Sequence, residues 1–178
     1  MRLAEPYTIA YETIDKSVNI FVRIHTNNNY IGCGSAAPDA EVTGETPESV
    51  SAAIGNIAIP LIKDSDPLRP VMLLERLRSK MAKHPSALAA IDMALYDIMG
   101  KYARLPLWKL LGGFRDRIRT SVTIGILPED ETICRAMDFV DQGFKSLKLK
   151  GGKDVESDIV RTIKVREAVG KNIEIRFD

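Results

Sequence analysis

A small α+β segment followed by the opening of a parallel α/β sheet is the fold class this sequence predicts, and three observations predict it. Two apolar, β-branched runs, 18–26 and 30–33, flank Asn27-Asn28-Asn29. Asparagine tolerates the left-handed backbone of a tight turn, so the runs read as a hairpin. Helix-start signals recur at Thr46-Pro47-Glu48, Asp66-Pro67 and Ser86. From about Arg117 the pattern alternates between strand (118–126), helix (128–142), strand (145–150), helix (154–168) and strand (173–178). Strands alternating with helices make βαβ units and a parallel sheet. The boundary falls near Arg115-Asp116-Arg117, giving an α+β domain over 1–116 and the start of an α/β domain over 117–178.

Within the first domain the hairpin is followed by a small, polar, Gly- and Pro-marked stretch, 35–46, which reads as an ordered loop or lid. Thr46 caps the next helix, with proline in its first turn. The segment 87–99 puts Ala87, Ile91, Ala94, Leu95 and Ile98 on one face, a helix suited to close packing near the centre. Leu105 to Leu111 reads as a short helix stopped by Gly112-Gly113, with Trp108 in the core.

Composition limits the functions available. Of 178 residues 45% are hydrophobic, as in an ordinary globular core, and 25 Lys and Arg against 24 Asp and Glu leave a net charge of +1. No basic block tracks a phosphate backbone, so nucleic acid is not an expected partner. Cys33 and Cys134 are too few and too far apart for a disulfide framework or a thiolate zinc site. No stretch approaches the roughly 20 apolar residues of a membrane span, and a cytoplasmic location is expected. Two histidines, His25 and His84, argue against Ser-His-Asp chemistry and histidine-rich metal sites.

Lys148 and Lys150 stand one residue apart on a strand, so their side chains share a face with Ser146, while Leu147 and Leu149 share the other. From pattern alone this is a half-buried strand with its polar side in water. In a parallel sheet both faces are usually covered, and lysines opposite the helix-packed side would enter a barrel lumen or cleft. Two ammonium groups in one enclosed site repel each other and lose solvent, which favours a neutral amine able to act as a base. Ser121, Thr123 and Gly125 face together on the preceding strand, as small space fillers or as site lining. Asp178 ends the last strand, where α/β folds build sites and where a carboxylate is a hard ligand for Mg²⁺, although from the residues alone a loop or capping role is the better reading. Gly151-Gly152 lacks the pattern of a phosphate loop.

Together these segments resemble the enolase superfamily, in its muconate-lactonizing-enzyme-like branch, and most closely its dipeptide epimerases. The residues that carry the resemblance are Pro6-Tyr7, Val22-Arg23-Ile24, Gly32-x-Gly34, Thr43-Gly44-Glu45, Met93 to Asp97, Leu105-Pro106-Leu107, Leu110 to Gly113, Thr123, Lys148-x-Lys150 and Arg176-Phe177-Asp178. The resemblance implies a capping α+β domain over a modified (β/α)₈ barrel of which this chain holds the first three strands, with Mg²⁺ as cofactor. It implies Lys150 as acid/base, Lys148 as its electrostatic modulator, Asp178 as the first of three metal ligands, and Thr123, Glu12, Tyr7 and Val42 as substrate-binding residues. The implied reaction removes and returns the α-proton of a dipeptide through an enediolate, in an enzyme that assembles as a homo-oligomer.

Four departures accompany the likeness. The remaining metal carboxylates and the second acid/base lysine would lie beyond Asp178, so the chain reads as the N-terminal portion of a longer enzyme, inactive alone. The family's first strand normally precedes the region of Leu3 to Tyr7, and so reads as missing. Ser35 stands where relatives usually carry an acid. Glu12 aligns with the arginine that serves Ala-Glu epimerases, which predicts a preference for neutral or cationic dipeptides. The rival readings are a muconate cycloisomerase or o-succinylbenzoate synthase of the same fold, and a non-catalytic assembly module.

Overall fold

The computed structural model describes all residues from Met1 to Asp178. They form two compact units, one comprising Val18–Phe114 and the other Met1–Ser17 together with Arg115–Asp178. The N-terminal segment, expected in the first domain, thus groups with the C-terminal one.

In the Val18–Phe114 unit, strands β3 (Ile20–His25) and β4 (Ile31–Ala36) form the expected antiparallel hairpin, with Val22 opposite Gly34 and Ile24 opposite Gly32. Asn29 takes φ 62 in the turn, the left-handed geometry for which asparagine is suited. Helix α1 (Pro47–Ala53) starts at Thr46, whose hydroxyl accepts from the Ser49 amide while the Ser49 hydroxyl accepts from the Thr46 amide, a reciprocal cap. The chain continues through a π-helical turn (Ile54–Ala58) into α2 (Ile59–Ile62). Pro60 has no N–H to give the helical ladder, and the helix widens just ahead of it.

Helix α3 (Pro70–Arg78) begins three residues later than the Asp66-Pro67 signal predicts. The Asp66 carboxylate instead accepts the Leu68 amide at 2.9 Å, closing a turn, and Pro70 takes the first helical position. Helix α4 (Pro85–Ala103) is the centre of this unit. Ala87, Ile91, Ala94, Leu95 and Ile98 are all buried, as their spacing predicts. The Gly32-x-Gly34 pattern has its reason here: a Cβ at Gly34 would lie 1.8 Å from the Ala90 carbonyl oxygen, and one at Gly32 2.0 Å from that of Ala94. The hairpin therefore lies backbone to backbone on α4. Helix α5 (Leu107–Leu110) ends at Gly112 and Gly113, with φ 111 and 60. Trp108 is not in the core; it is 45% exposed because this helix is a single turn that cannot cover it, and Lys109 Nζ sits 5.4 Å above its ring.

The other unit carries a hairpin that the sequence pattern did not announce, β1 (Arg2–Thr8) with β2 (Thr13–Lys16), and a parallel sheet in the order β5 (Val122–Ile124), β6 (Ser146–Leu149), β7 (Glu174–Phe177). Helices α6 (Glu129–Asp141) and α7 (Val155–Val169) connect the parallel strands. Strand β5 is three residues long where 118–126 was expected; it pairs only with β6, over Val122 to Ile124, and Ile118 remains 74% exposed with no ladder to join. Leu147, Leu149, Ile124 and Ile173 pack with Ala136 of α6 and Val165 of α7 into the core of this unit. One face of the sheet is thereby sealed by helices, and the lysine face is the other.

Candidate active site

Register brings the chemistry-bearing residues together. Thr123 pairs with Lys148, and Lys148 with Arg176, so the three strands carry their polar faces in one row. Beyond the last rung the backbone stays tied: the Lys150 amide donates to Ile124 O at 2.9 Å, the Asp178 amide to Leu149 O at 3.0 Å, and the Gly151 amide to Asp178 O at 2.9 Å. Lys150 and Asp178 are thereby held side by side at the C-terminal ends of β6 and β7.

Their side chains meet. Lys150 Nζ donates to Asp178 Oδ2, and Lys148 Nζ lies 3.0 Å from the same oxygen. The hydrogen bond from Lys150, then that from Lys148, holds the Asp178 carboxyl below its ordinary range, outweighing its modest desolvation. The side chains of Lys148 and Lys150 keep 33% and 24% of their exposure, so both are half-buried and reachable by a ligand. Thr123 is exposed on the same face, one strand away.

Tyr7 and Glu12 belong to this unit and reach the same end of the sheet. Thr8 O accepts the Ile126 amide at 2.8 Å. A Cβ at Gly125 would stand 3.1 Å from Thr8 N and 3.2 Å from Tyr7 Cβ, and one at Gly152 3.1 Å from Ala10 Cβ. The turn that joins β1 to β2 thus rests on the loops that follow β5 and β6. Glu12 lies in that turn, its carbonyl accepting from the Ile9 amide at 2.9 Å. Glu5 on the same hairpin is paired with Arg135 at 2.9 Å, whereas the exposed Glu12 carboxylate has no protein cation beside it. Val42 belongs to the other unit, 72% exposed on a turn whose amides at Glu41 and Val42 both donate to Asp39 Oδ1 at 2.9 Å.

Two residues at this site escape a reading by hydrophobic period. Asp158 and Arg161 of α7 are buried, at 7% and 5% exposure, and bind the backbone around Lys150. The signal was present: 158, 161 and 165 fall on one helix face, and two of those three positions are charged.

As a metal donor, Asp178 offers a hard anionic oxygen of the kind a divalent cation takes, and the two ammonium groups on that oxygen would have to give way to it. No group of three or more His, Cys, Asp or Glu side chains in the chain could hold a metal by itself. Asp178 would therefore offer one donor and not a full coordination sphere.

The N-terminal-domain profile of the mandelate racemase / muconate lactonizing enzyme family matches residues 1–112. An L-Lys-D/L-Arg epimerase of Desulforapulum autotrophicum is 42% identical over 178 residues, covering 100% of this chain and 50% of that protein. The structure of a dipeptide epimerase from Methylococcus capsulatus, complexed with Mg and the dipeptide L-Arg-D-Lys, superposes with a TM-score of 0.94 at 36% identity, over 99% of this chain and 50% of the other. A substrate-liganded L-Ala-D/L-Glu epimerase from Bacillus subtilis gives a TM-score of 0.95 at 31% identity, again over 99% of this chain and 50% of the other. The chain spans about half the length of the curated relatives it matches.

Proposed function

Because this chain belongs to the mandelate racemase / muconate lactonizing enzyme family of the enolase superfamily, we propose that it forms the N-terminal half of a Mg²⁺-dependent dipeptide epimerase that prefers cationic dipeptides. The convergence of Lys148 and Lys150 on Asp178 at the strand ends carries this reading.

The chemistry follows from these groups. The neutral amine of Lys150 takes the proton on the carbon next to the substrate carboxylate, and the C–H electron pair moves onto the carboxylate oxygens to give an enediolate. Lys148 stands beside Lys150 on the same strand face, and both amines reach Asp178 Oδ2. Asp178 would hold one side of Mg²⁺, which supplies the positive charge that an enediolate dianion needs. Return of a proton to the opposite face inverts the centre and requires a second acid from the remainder of the protein. Thr123 and Tyr7 line the substrate from the sheet and the hairpin.

Specificity rests on Glu12. Its unpaired carboxylate can receive an ammonium or guanidinium side chain and repels an acidic one. Support comes from the two relatives named L-Lys-D/L-Arg epimerases, at 42% and 36% identity.

A dipeptide library presented to the full-length protein that carries this chain tests the reading. Lys- and Arg-containing dipeptides are expected to epimerise fastest, and Glu12→Arg to move kcat/KM from them toward acidic dipeptides by about tenfold or more. A wild-type preference for Ala-Glu contradicts it.

A further inference from the structure

The buried pair Asp158 and Arg161 encloses the peptide that carries Lys150. Arg161 Nη2 donates to Asp158 Oδ1 at 2.6 Å and to Lys150 O at 2.7 Å, and Nη1 donates to Leu127 O at 3.4 Å, in the loop that follows β5. Asp158 Oδ2 accepts the Gly152 amide at 2.7 Å. The glycine between lets these groups close in: a Cβ at Gly151 would stand 2.5 Å from Asp158 Oδ2 and 2.1 Å from Phe177 Cζ. With the Lys150 amide on Ile124 O and the Gly151 amide on Asp178 O, both at 2.9 Å, every backbone polar group from Lys150 N to Gly152 N except Gly151 O is assigned a partner.

Stability alone gives a weak reason for this pair. Burying two charges is costly, and apolar residues of similar volume often serve a fold as well or better. What an apolar pair cannot do is bind a carbonyl and an amide on either side of one residue. Reaction rates fall steeply when a proton-transfer group is displaced by an ångström. We propose that Asp158 and Arg161 are positioning residues, which fix the Lys150 backbone so that its amine reaches the substrate α-carbon from beside Asp178. The proposal rests on the dipeptide epimerase reading for its substrate, though not for its geometry.

Asp158→Leu combined with Arg161→Met keeps the site filled while removing the backbone hydrogen bonds, and Arg161→Lys retains a cation. Two readouts are taken on the full-length protein. In heavy water, deuterium entry at the α-carbon is followed separately from each substrate epimer. The double variant is expected to slow exchange about 100-fold from the epimer whose proton Lys150 removes, and fivefold or less from the other, with KM within about threefold and partial rescue in Arg161→Lys. Equal slowing of both epimers, the mark of general structural damage, overturns the proposal, as does no slowing. The second readout is the rate of amine labelling at each lysine, resolved by mass spectrometry, which needs no substrate. Labelling of Lys150 is expected to change about fivefold or more while that of Lys16 stays constant; an unchanged Lys150 rate overturns the positioning role. A wild type that exchanges no dipeptide α-proton, with Lys150 labelling still sensitive to the pair, defeats the dipeptide reading and upholds the positioning role.

Discussion

Glu45 is 1% exposed, and its carboxylate receives the Ser86 amide at 2.9 Å and the Ala87 amide at 3.5 Å. Those amides open α4, where unsatisfied N–H groups and the helix dipole favour an anion. Burial pushes the Glu45 pKa up, but the bonds from Ser86, Thr43 and Ala87 outweigh it and hold the group below its ordinary value of 4.5. A depressed folded pKa contributes stability that is complete above the unfolded value and is lost as the pH falls through the folded one. Glu45→Gln is therefore expected to lower the thermal midpoint near neutrality and to flatten its decline between about pH 5 and 3; an acid limb as steep as that of the wild type contradicts the assignment. Residue types on a strand were legible, since period two alone put Lys148 and Lys150 on one face. Glu45, Asp158 and Arg161 were not, because hydrophobic periodicity registers apolar side chains and is silent on charges that are buried through hydrogen bonds to backbone.

Among the elements, α4 was the most legible and the N-terminal hairpin the least. The spacing of Ala87, Ile91, Ala94, Leu95 and Ile98 marks a helix with one small-shouldered face, and all five are buried. Strands β1 and β2 offer no such signal: β1 contains Pro6 and its ladder with β2 is interrupted between Arg2 and Tyr7. Proline discourages a strand assignment, and only pairing partners distant from local pattern decide it. The contact of β4 with α4 makes a sharp prediction. Gly34→Ala must force strand and helix apart, since the added Cβ would lie 1.8 Å from Ala90 O, and it is expected to cost about 3 kcal/mol, the upper range for overpacking. Gly55→Ala meets nothing within 4 Å inside a helix and is expected to stabilise by about 0.5–1 kcal/mol. Urea midpoints of the two variants measure this; equal shifts would mean that the helix does not lie on the strand as described.

On the scale of the whole molecule, the alternation of strands and helices after Arg117 sufficed to announce the parallel sheet, and the order β5-β6-β7 follows the chain. What local pattern does not carry is that Met1–Ser17 joins the unit formed by Arg115–Asp178. That grouping depends on contacts between residues more than a hundred positions apart, such as Thr8 O with the Ile126 amide at 2.8 Å. It also brings Glu12 into the unit that holds the lysines. The central claim is that Lys150, beside Lys148 and Asp178, removes the α-proton of a dipeptide. Proton NMR of a Lys- or Arg-containing dipeptide in heavy water, with the full-length protein and its Lys150→Ala variant, tests it most directly. The account predicts that the wild type replaces the α-hydrogen of both epimers with deuterium, and that Lys150→Ala ends epimerisation and abolishes exchange from one epimer while the other still exchanges. Undiminished epimerisation by Lys150→Ala would contradict it.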